Sequence, residues 1–597
     1  MPSYKAPVED TLFLLYDVLG FDRHANLPGF ADASRDVVEA VLLESAKLCE
    51  EVLQPVNRSG DVEGCTRSAD GSVATPKGYK AAYDAFAEGG WIGLSADPDY
   101  GGQGLPHTIA AIVNEYASAA NMALAMYPGL TQGAIAALTL HGSDELKQTY
   151  LPKMIAGTWT GTMNLTEPHC GTDLGLIKTK AVPNGDGSYR ITGTKIFISA
   201  GEHDLTENIV HLVLARIEGA PEGTKGISLF VVPKFRLDAD GAPGERNAVS
   251  CGSIEHKMGI HGNATCVMNY DGATGWLVGE ENRGLPAMFT MMNEARLGVG
   301  IQGLAQSEVA YQNAVAYAKD RLQGRALSGP KEPAKPADPI IVHPDVRRTL
   351  LSIKAFNEAA RALILWTSLK GDVGHASDDA KDKQAGDDLM GLLTPVIKGV
   401  ITDVGFDNTV KAQQMFGGHG YVAEWGMEQF VRDARIAMIY EGANGVQAMD
   451  LVGRKLGRDG GRAIMALFKE IDGFIKENGG IRDLKPFLEA LKKARDDLQK
   501  AATWFMMHAM RKLENAGAGA TDFMHLLGLV ALGYMWARIA KTALAKQASG
   551  EGDAARMEAR LTTGRFFIER CLPETATRLA AISAGADAVM ALPAEAF

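Results

Sequence analysis

The chain has 597 residues, of which 46% are hydrophobic and 22% are charged, a composition typical of proteins with more than one packed core. Its 72 acidic residues outnumber its 60 lysines and arginines, so the formal net charge is -12. This balance argues against a broad electrostatic footprint for nucleic acid or an anionic bilayer. The six cysteines form no C-x-x-C pair, which excludes the usual signs of a disulfide framework or a thiolate metal site.

The N-terminal segment carries acids within its short apolar run and lacks a basic start, so it is not predicted to be a secretion signal. No run reaches the roughly 18 apolar residues of a membrane span, and no transmembrane segment is expected. We therefore expect a cytoplasmic location, with the surface of the inner membrane as the alternative.

The spacing of apolar residues divides the chain into five predicted regions. An N-terminal extension covers residues 1–32, and helical spacing with Gly and Pro breaks predicts a helical domain over 33–158. Short β-rich runs separated by turn residues predict a small antiparallel barrel or sandwich over 159–284. Helical spacing resumes over 285–460 and continues in a further helical block over 461–597. The predicted fold class is α+β, mostly α.

Two features of the later regions are predicted to be structural. The proline-rich insert at 328–339 should be a loop. The segment Gly298-Val-Gly-Ile-Gln-Gly303 matches the dinucleotide-binding G-x-G-x-x-G pattern, but no strand precedes it and its neighbours keep helical register. We expect it to serve close helix packing. Metal-binding motifs and a G-x-S-x-G elbow are both missing from the sequence, so neither a metal mechanism nor a serine hydrolase is supported.

Four segments carry the functional signal, and each alone could be scaffold. They are Leu165-Thr-Glu-Pro-His-Cys-Gly-Thr-Asp173, Lys195-Ile-Phe-Ile-Ser199, Gln414-Met-Phe-Gly-Gly418 and the pair Arg432-Asp-Ala-Arg435 with Ile439-Tyr-Glu-Gly442. In this order and spacing, over about residues 35 to 460, they resemble the acyl-CoA dehydrogenase family. The N-terminal extension, the proline insert and the C-terminal block resemble its long bacterial branch.

The resemblance implies an N-terminal helical domain, a central β-barrel, a four-helix bundle and an appended helical domain, with FAD between the β domain and the bundle. It implies oxidation of an acyl-CoA to a trans-2-enoyl-CoA, with electrons passing to electron-transferring flavoprotein. The substrate would be 3-methylmercaptopropionyl-CoA or a fatty acyl-CoA. Because the C-terminal extension of long members covers the surface used for tetramer formation, a homodimer is favoured over a tetramer.

Thirteen residues match family positions that contact FAD. Most are implied to hold the flavin ring, whereas a guanidinium at 321 suits the pyrophosphate and the segment 414–418 usually meets FAD from a neighbouring subunit. The predicted cofactor-binding residues are Met163, Leu165, Thr166, Gly171, Thr172, Phe197, Ile198, Ser199, Arg321, Gln323, Gln414, Gly417 and Gly418.

Glu441 matches the usual catalytic base of the family, which removes the α-proton of the thioester. Some members instead place the base immediately before an arginine that matches Arg296. That position is Ala295 here, and Glu294 is turned by about 100° from it on a helix, so Glu294 is the weaker rival. The predicted substrate-binding residues are Thr172, Asn293, Arg296 and Gly442.

Three departures from the family wording bear on these predictions. His169-Cys170 replaces Gly-Ala, with Cys170 expected to be a packed thiol. Ala443-Asn444-Gly445 replaces Thr-Ser-Gln, so side-chain bonds to FAD must be replaced or absent there. His343-Pro344 replaces a His-Gln pair, which weakens the case for FAD contacts from that region.

Three alternative functions fit the same resemblance. An acyl-CoA oxidase would differ in oxygen access to the reduced flavin. A flavin-bearing, DNA-binding alkylation-response protein would need a concentrated basic surface, but 461–597 interleaves 19 basic with 16 acidic residues, as is typical of a solvated face. A scaffold without catalysis is disfavoured by Glu441.

Overall fold

The computed structural model describes residues 2–509 and 511–597. The chain forms two compact units, one of residues 40–298 and one that joins residues 1–39 to residues 299–597. We refer to them as the barrel unit and the bundle unit.

The α-helices are numbered in chain order. They are α1 Val8–Leu12, α2 Arg35–Leu48, α3 Asn57–Glu63, α4 Tyr79–Glu88, α5 His107–His141, α6 Asp144–Ile155, α7 Gly284–Asp320, α8 Pro344–Ala376, α9 Ala380–Met415, α10 Gly418–Tyr421, α11 Met427–Arg435, α12 Asn444–Asp450, α13 Arg462–Asn478, α14 Lys485–His508, α15 Glu514–Ser549, α16 Ala554–Arg570, α17 Glu574–Ser583 and α18 Asp587–Met590.

The strands belong to the barrel unit. They are β1 Thr66–Arg67, β2 Val73–Ala74, β3 Trp159–Asn164, β4 Lys180–Pro183, β5 Ser188–Ser199, β6 Asn208–Ile217, β7 Ser228–Pro233, β8 Phe235–Leu237, β9 Pro243–Arg246, β10 Val249–Ile254 and β11 Thr265–Val278. Together with the helices they confirm the predicted α+β, mostly helical fold.

Seven strands of the barrel unit form one sheet in the order β10-β11-β5-β4-β6-β3, and β7 closes it by pairing with both β11 and β6. Most pairs are antiparallel, as predicted, but β6 pairs in parallel with β3 and with β4. A parallel pair needs a long crossover connection, and the chain between β3 and β6 supplies one, since it contains β4 and β5. Ile191, Val213, Phe230, Tyr270 and neighbouring side chains fill the interior.

The bundle unit is organised by the long helices α7, α8 and α9, followed by the appended helices α13 to α17. The glycines of the G-x-G-x-x-G match lie inside α7. A Cβ at Gly300 would come within 2.5 Å of Ile397 Cγ2, and one at Gly303 within 2.8 Å of the Ile401 carbonyl oxygen. This confirms the prediction that the motif serves close helix packing.

The N-terminal extension packs onto the appended helices of the bundle unit. Arg560 on α16 donates to Asp10 at 2.6 Å, and its guanidinium lies over the ring of Phe13 at 3.9 Å from the centroid. Arg538 on α15 donates to the Val18 carbonyl oxygen at 3.1 Å. The extension is therefore an integral part of this unit.

The premise that no stretch is long and apolar enough for a membrane span is wrong, because α5, α9 and α15 qualify by length and composition. In each of these helices small or polar residues interrupt the apolar ones, so no unbroken apolar run marks the helix in the sequence. In each helix an apolar stretch of 18 residues is between 61% and 83% buried inside the protein. These helices therefore supply interior packing.

Candidate active site

The end of β5 carries an exposed aromatic ring on a distorted backbone. Opposite β11, the register slips between Cys266, which faces Ile198, and Met268, which faces Lys195. Two residues, Ile196 and Phe197, therefore oppose one, which is the definition of a β-bulge. Phe197 has a φ of 59° and a side chain that is 60% exposed. The bulge turns a large apolar ring out of the strand, as expected of a binding position rather than of a core residue.

The loop 165–173 follows β3 and is tied to β5 beside this bulge. Lys195, which is fully buried, donates to the Leu165 carbonyl oxygen and to Glu167 Oε1, both at 2.9 Å. The Ile196 N–H donates to the Thr166 carbonyl oxygen at 2.9 Å. These bonds fix the backbone of the first loop residues against the strand that presents Phe197.

Glu167 is a buried carboxylate with a complete set of donors. Besides Lys195, it accepts bonds from the Lys178 N–H at 2.7 Å and from the N–H and hydroxyl of Thr179. Burial alone would raise the pKa of this carboxyl, but the Lys195 ammonium and these bonds outweigh burial and hold the pKa below its usual value. Glu167 is therefore an ionised anchor for the loop.

The other residues predicted to bind cofactor from this unit lie on the loop 165–173 or at the ends of β3 and β5. Gly171 and Thr172 are exposed on the loop, Met163 is half-buried at the end of β3, and the Ser199 carbonyl oxygen accepts the Thr162 hydroxyl at 2.7 Å. The Ile198 side chain is buried in the barrel core, so only its backbone can reach a ligand. Cys170 is buried, as expected of a packed thiol.

The structure adds one cluster that the spacing of residues did not suggest. Ligand atoms of Glu167, His169 and Cys170 lie within 4.8 Å of one another. Glu167 is already bound by Lys195, and His169 Nε2 lies 2.8 Å from the Leu176 carbonyl oxygen. The cluster is thus part of the internal bonding of the loop.

In the bundle unit, Arg321 and Gln323 lie between the end of α7 and the proline-rich insert at 328–339, which is a loop as predicted. Asp338, fully buried, organises it by accepting the N–H groups of Ala326, Lys331 and Glu332 at 2.8 to 3.0 Å. These backbone bonds hold the pKa of the Asp338 carboxyl far below its ordinary value.

The end of the insert is hydrogen-bonded to the backbone that precedes it, at Arg321 and Gln323. The Gln323 N–H donates to the Asp338 carbonyl oxygen, and the Ile340 N–H donates to the Arg321 carbonyl oxygen. The backbone of the predicted cofactor residues is therefore fixed, whereas the Arg321 and Gln323 side chains are exposed. His343 Nε2 lies 2.9 Å from the Gln323 carbonyl oxygen, so this histidine supports the loop from within.

The segment Gln414–Gly418 ends α9 and opens a tight turn. Gly417 has φ 56° and ψ -135°, and Gln414, Gly417 and Gly418 are exposed. Apart from neighbouring residues along the chain, no heavy atom of the described residues lies within 4 Å of a Cβ built at either glycine. The turn rests on an aromatic cluster in which Tyr317 stacks on Phe416 with centroids 4.2 Å apart. It presents open backbone that a ligand can approach closely.

Glu441 lies in a second strained turn of the bundle unit. Its φ is 57°, which few non-glycine residues adopt, and Gly442 follows with φ 87°. Gln447 Nε2 donates to the carbonyl oxygens of Glu441 and Gly442 at 3.1 and 3.3 Å. Tyr440, immediately before, donates its hydroxyl to Gln302 Oε1. The backbone on both sides of the predicted base is held in place.

The rival carboxylate and the predicted substrate residues of α7 lie in the barrel unit. Glu294 Oε2 is 4.0 Å from His107 Nδ1, with a side chain 41% exposed. Arg296 is largely buried and donates to Asn293 at 3.4 Å. Thr172 belongs to the loop 165–173 of the same unit, whereas Gly442 belongs to the turn of Glu441. Each of the two units thus presents a separate set of predicted site residues.

Four family models match the chain in sequence. They describe the acyl-CoA dehydrogenase N-terminal domain at 45–158, its middle domain at 162–273, its C-terminal domain at 282–456, and an acetyl-CoA dehydrogenase C-terminal-like region at 467–593. The chain is 41% identical to a 3-methylmercaptopropionyl-CoA dehydrogenase of Ruegeria pomeroyi, with 98% of this chain and 99% of that protein covered. The chain belongs to the acyl-CoA dehydrogenase family. It is therefore an oxidoreductase of a family that uses FAD.

Two further comparisons agree with this membership. The broad-specificity linear acyl-CoA dehydrogenase FadE5 of Mycobacterium tuberculosis is 36% identical, with 96% of each chain covered. The crystal structure of ACDH-11 of Caenorhabditis elegans in complex with C11-CoA has a TM-score of 0.76 at 20% identity, over 96% of this chain and 92% of that one. At 20% identity, the likeness to ACDH-11 shows a shared fold only.

The residues present fit FAD as the family implies. A planar apolar ring system needs an exposed flat surface, which Phe197 provides beside the fixed backbone of loop 165–173. A pyrophosphate needs a cation, which the exposed guanidinium of Arg321 would supply. The open backbone at Gly417 and Gly418 would suit the FAD of a neighbouring subunit, as the family implies. When bound, FAD supplies the two-electron acceptor of the reaction.

Arg321→Ala is expected to weaken FAD binding without unfolding the chain. An exposed guanidinium that pairs with a phosphate contributes about 1.5 to 3 kcal/mol, so the Kd for FAD should rise by about 10-fold to 100-fold. Titration of apoenzyme with FAD measures the change. Arg347→Ala serves as the matched control, because it also removes an exposed arginine, in this case one on α8. It should leave the Kd for FAD unchanged. An unchanged Kd in Arg321→Ala would remove this residue from the cofactor site.

Proposed function

We propose that the chain oxidises the α,β bond of an acyl-CoA thioester to a trans-2-enoyl-CoA, with Glu441 as the base. The observation that carries this proposal is the turn of Glu441, in which a carboxylate stands at a strained backbone position that Gln447 fixes from behind. Strain of this kind is retained where a side chain must be aimed. A family signature alone would not require it.

In the proposed reaction the α-proton passes to the Glu441 carboxylate, and the β-hydrogen leaves with its electron pair to the acceptor. Water-free surroundings favour this transfer, because burial by a ligand raises the pKa of a carboxylate toward that needed for a general base. Gly442 allows the acyl chain to approach the backbone next to Glu441, since it carries no side chain. Thr172, Asn293 and Arg296 are proposed to hold the CoA portion.

The proposed substrates are 3-methylmercaptopropionyl-CoA and linear acyl-CoAs. The support is the names of two relatives that match almost the whole chain, one a 3-methylmercaptopropionyl-CoA dehydrogenase and the other a broad-specificity linear acyl-CoA dehydrogenase. A thioether sulfur replaces one methylene of a linear chain with little change of shape, so one apolar cavity could accept both.

Anaerobic bleaching of the bound flavin tests the proposed function. The purified holoenzyme is mixed with 3-methylmercaptopropionyl-CoA, butyryl-CoA, octanoyl-CoA or palmitoyl-CoA, and the flavin absorbance is followed in a stopped-flow instrument. We expect fast bleaching by at least the thioether and the short linear substrates. Bleaching by palmitoyl-CoA alone would refute the thioether assignment, and stoichiometric FAD that no acyl-CoA bleaches would refute the dehydrogenase function.

We further propose electron-transferring flavoprotein as the electron acceptor, a homodimer as the assembled state and the cytoplasm as the location. Their support is the family membership and, for the dimer, the exposed backbone of Gln414–Gly418, which family members commonly present to the FAD of a neighbouring subunit. The acyl-CoA bleaching experiment repeated in air distinguishes a dehydrogenase that passes electrons to this flavoprotein from an oxidase. An oxidase would produce hydrogen peroxide without added flavoprotein.

A further inference from the structure

Asn444 occupies the centre of a buried hydrogen-bond network directly behind the Glu441 turn. Its Nδ2 lies within donating distance of the Gly399 carbonyl oxygen at 3.1 Å, Thr402 Oγ1 at 2.9 Å and Asp403 Oδ1 at 2.6 Å. The side chain thus points into the bundle and engages α9. It begins α12, so these bonds fix the end of the turn that holds the base.

Lys398 on α9 ties the same turn from the other side of Asn444. The lysine is fully buried, and its Nζ donates to the Gly442 carbonyl oxygen at 2.8 Å and to Asn444 Oδ1 at 2.7 Å. Bonds from a charged donor are about twice as strong as neutral ones. One ammonium therefore restrains the two residues that flank the exposed Ala443, immediately after the base.

The network extends into the appended domain. Asp403 accepts the Asn444 amide through Oδ1, and its second oxygen, Oδ2, accepts the Nε2–H of His525 at 2.9 Å. His525 lies on α15, and Asp403 lies on α9, 122 positions away along the chain. Both side chains of this pair are mostly buried. A continuous chain of bonds, Lys398–Asn444–Asp403–His525, thus joins α15 to the turn of Glu441.

We infer that this chain of hydrogen bonds positions Glu441 for removal of the α-proton, and that the appended helical domain thereby takes part in catalysis through His525. The inference rests on the proposed function, because it assigns a positioning role for the same base. None of the four side chains is required to touch the substrate.

The magnitude of the effect follows from the geometry of proton transfer. A base displaced by about 1 Å from its productive position can lose about 100-fold in rate. Removing the side chain of Asn444 breaks its bonds to Lys398, Gly399, Thr402 and Asp403 at once, whereas removing His525 breaks one bond at the far end. We therefore expect a large rate loss for the first variant and a smaller loss in the same direction for the second.

The experiment measures the rate and the amplitude of flavin reduction in the holoenzyme. Asn444→Ala and His525→Ala are mixed anaerobically with the acyl-CoA of the panel above that reduces the wild-type flavin fastest, and with its α-dideuterated form. Asn444→Ala should reduce at a rate about 10-fold to 100-fold lower, with full amplitude, unchanged substrate Kd and an α-deuterium isotope effect at least as large as that of the wild type. A folding defect would instead lower the amplitude, because fewer molecules would be competent.

Two matched variants control for general damage to the appended domain. Arg578→Ala removes the 2.8 Å ion pair to Asp522, which also lies on α15, and should leave the reduction rate unchanged. His525→Gln retains an N–H that can reach Asp403, and should recover most of the rate lost in His525→Ala. This pattern across the three variants would support positioning through His525.

The outcomes separate this inference from the proposed function. A wild-type flavin that no acyl-CoA reduces refutes both. If the wild type is reduced and Asn444→Ala follows within about twofold of its rate at full amplitude, the positioning inference fails while the dehydrogenase function stands. Equal rate losses in His525→Ala and Arg578→Ala would assign the effect to the stability of the appended domain and would overturn the role of His525.

Discussion

Glu441→Gln is expected to retain FAD and to bind acyl-CoA, yet to lose flavin reduction by about 10² to 10⁴ in rate. The amide has the size and shape of the carboxylate, so the turn held by Gln447 should remain folded. The amide of the glutamine, unlike the carboxylate, cannot accept the α-proton at neutral pH. Anaerobic stopped-flow reduction with a substrate that bleaches the wild type measures the rate, and difference spectra of the oxidised flavin measure ligand binding.

Glu294→Gln is the matched comparison for this variant. Glu294 is partly exposed and lies 4.0 Å from His107, and its replacement should leave the reduction rate close to that of the wild type. Full reduction in Glu441→Gln combined with a large loss in Glu294→Gln would move the base to α7. Loss of FAD from Glu441→Gln would mean that the variant reports on folding and not on proton transfer.

Much of the fold was predictable because its determinants are local in sequence. Period-3.6 and period-2 apolar spacing separates the helical regions from the barrel, and the helical surroundings of Gly300 and Gly303 predict that these glycines serve helix packing. The parallel pairing of β3 with β6 was not predicted, because apolar alternation does not specify a strand's neighbour or direction. The apolar character of α5, α9 and α15 is not apparent from unbroken apolar runs, because small or polar residues interrupt them.

The sequence predicts which residues belong to the candidate site. It does not predict the backbone conformations and hydrogen bonds that hold them. A bulge that turns Phe197 outward and a positive φ at Glu441 leave no mark in a single sequence, since both positions carry ordinary L-residues. The insert after Arg321 was correctly predicted as a loop, but Asp338 gave no sign that it would bind three N–H groups of that loop. The bond between His525 and Asp403 joins residues 122 positions apart, a separation that no local pattern covers.

Lys195→Met should be the most destabilising single change in the barrel unit among the variants considered. It removes the ammonium from a carboxylate that is itself buried, and breaking such a pair costs about 3 to 5 kcal/mol. Because the Lys178 N–H and Thr179 still bind Glu167, we expect about 3 kcal/mol, the lower end. The Leu165 carbonyl oxygen also loses its donor, so FAD should dissociate at lower denaturant concentration. Urea unfolding followed by flavin fluorescence measures both effects.

Lys234→Met provides a matched control in the same barrel. Lys234 also pairs with a buried carboxylate, Glu202, but Arg246 remains on Glu202 at 2.7 Å after the change. The control should therefore lose less stability than Lys195→Met and should keep its FAD. Equal losses in the two variants would show that Glu167 has no special dependence on Lys195.

The pH dependence of Lys195→Met distinguishes a buried charge from lost packing. In the wild type the pKa of Glu167 is lowered, so the stabilisation is present above the unfolded-state pKa of about 4.3 and is lost as pH falls through the folded-state pKa. Burial is the largest influence on this carboxyl, and Lys195→Met removes the ammonium that opposes it most. We therefore expect the pKa of Glu167 to rise and the folded variant to gain stability when it binds a proton. The difference in unfolding free energy between wild type and variant should therefore shrink as pH falls from 7 toward 5. In Lys195→Met combined with Glu167→Gln, which has no carboxylate at this site, the variant's own gain on acidification should disappear.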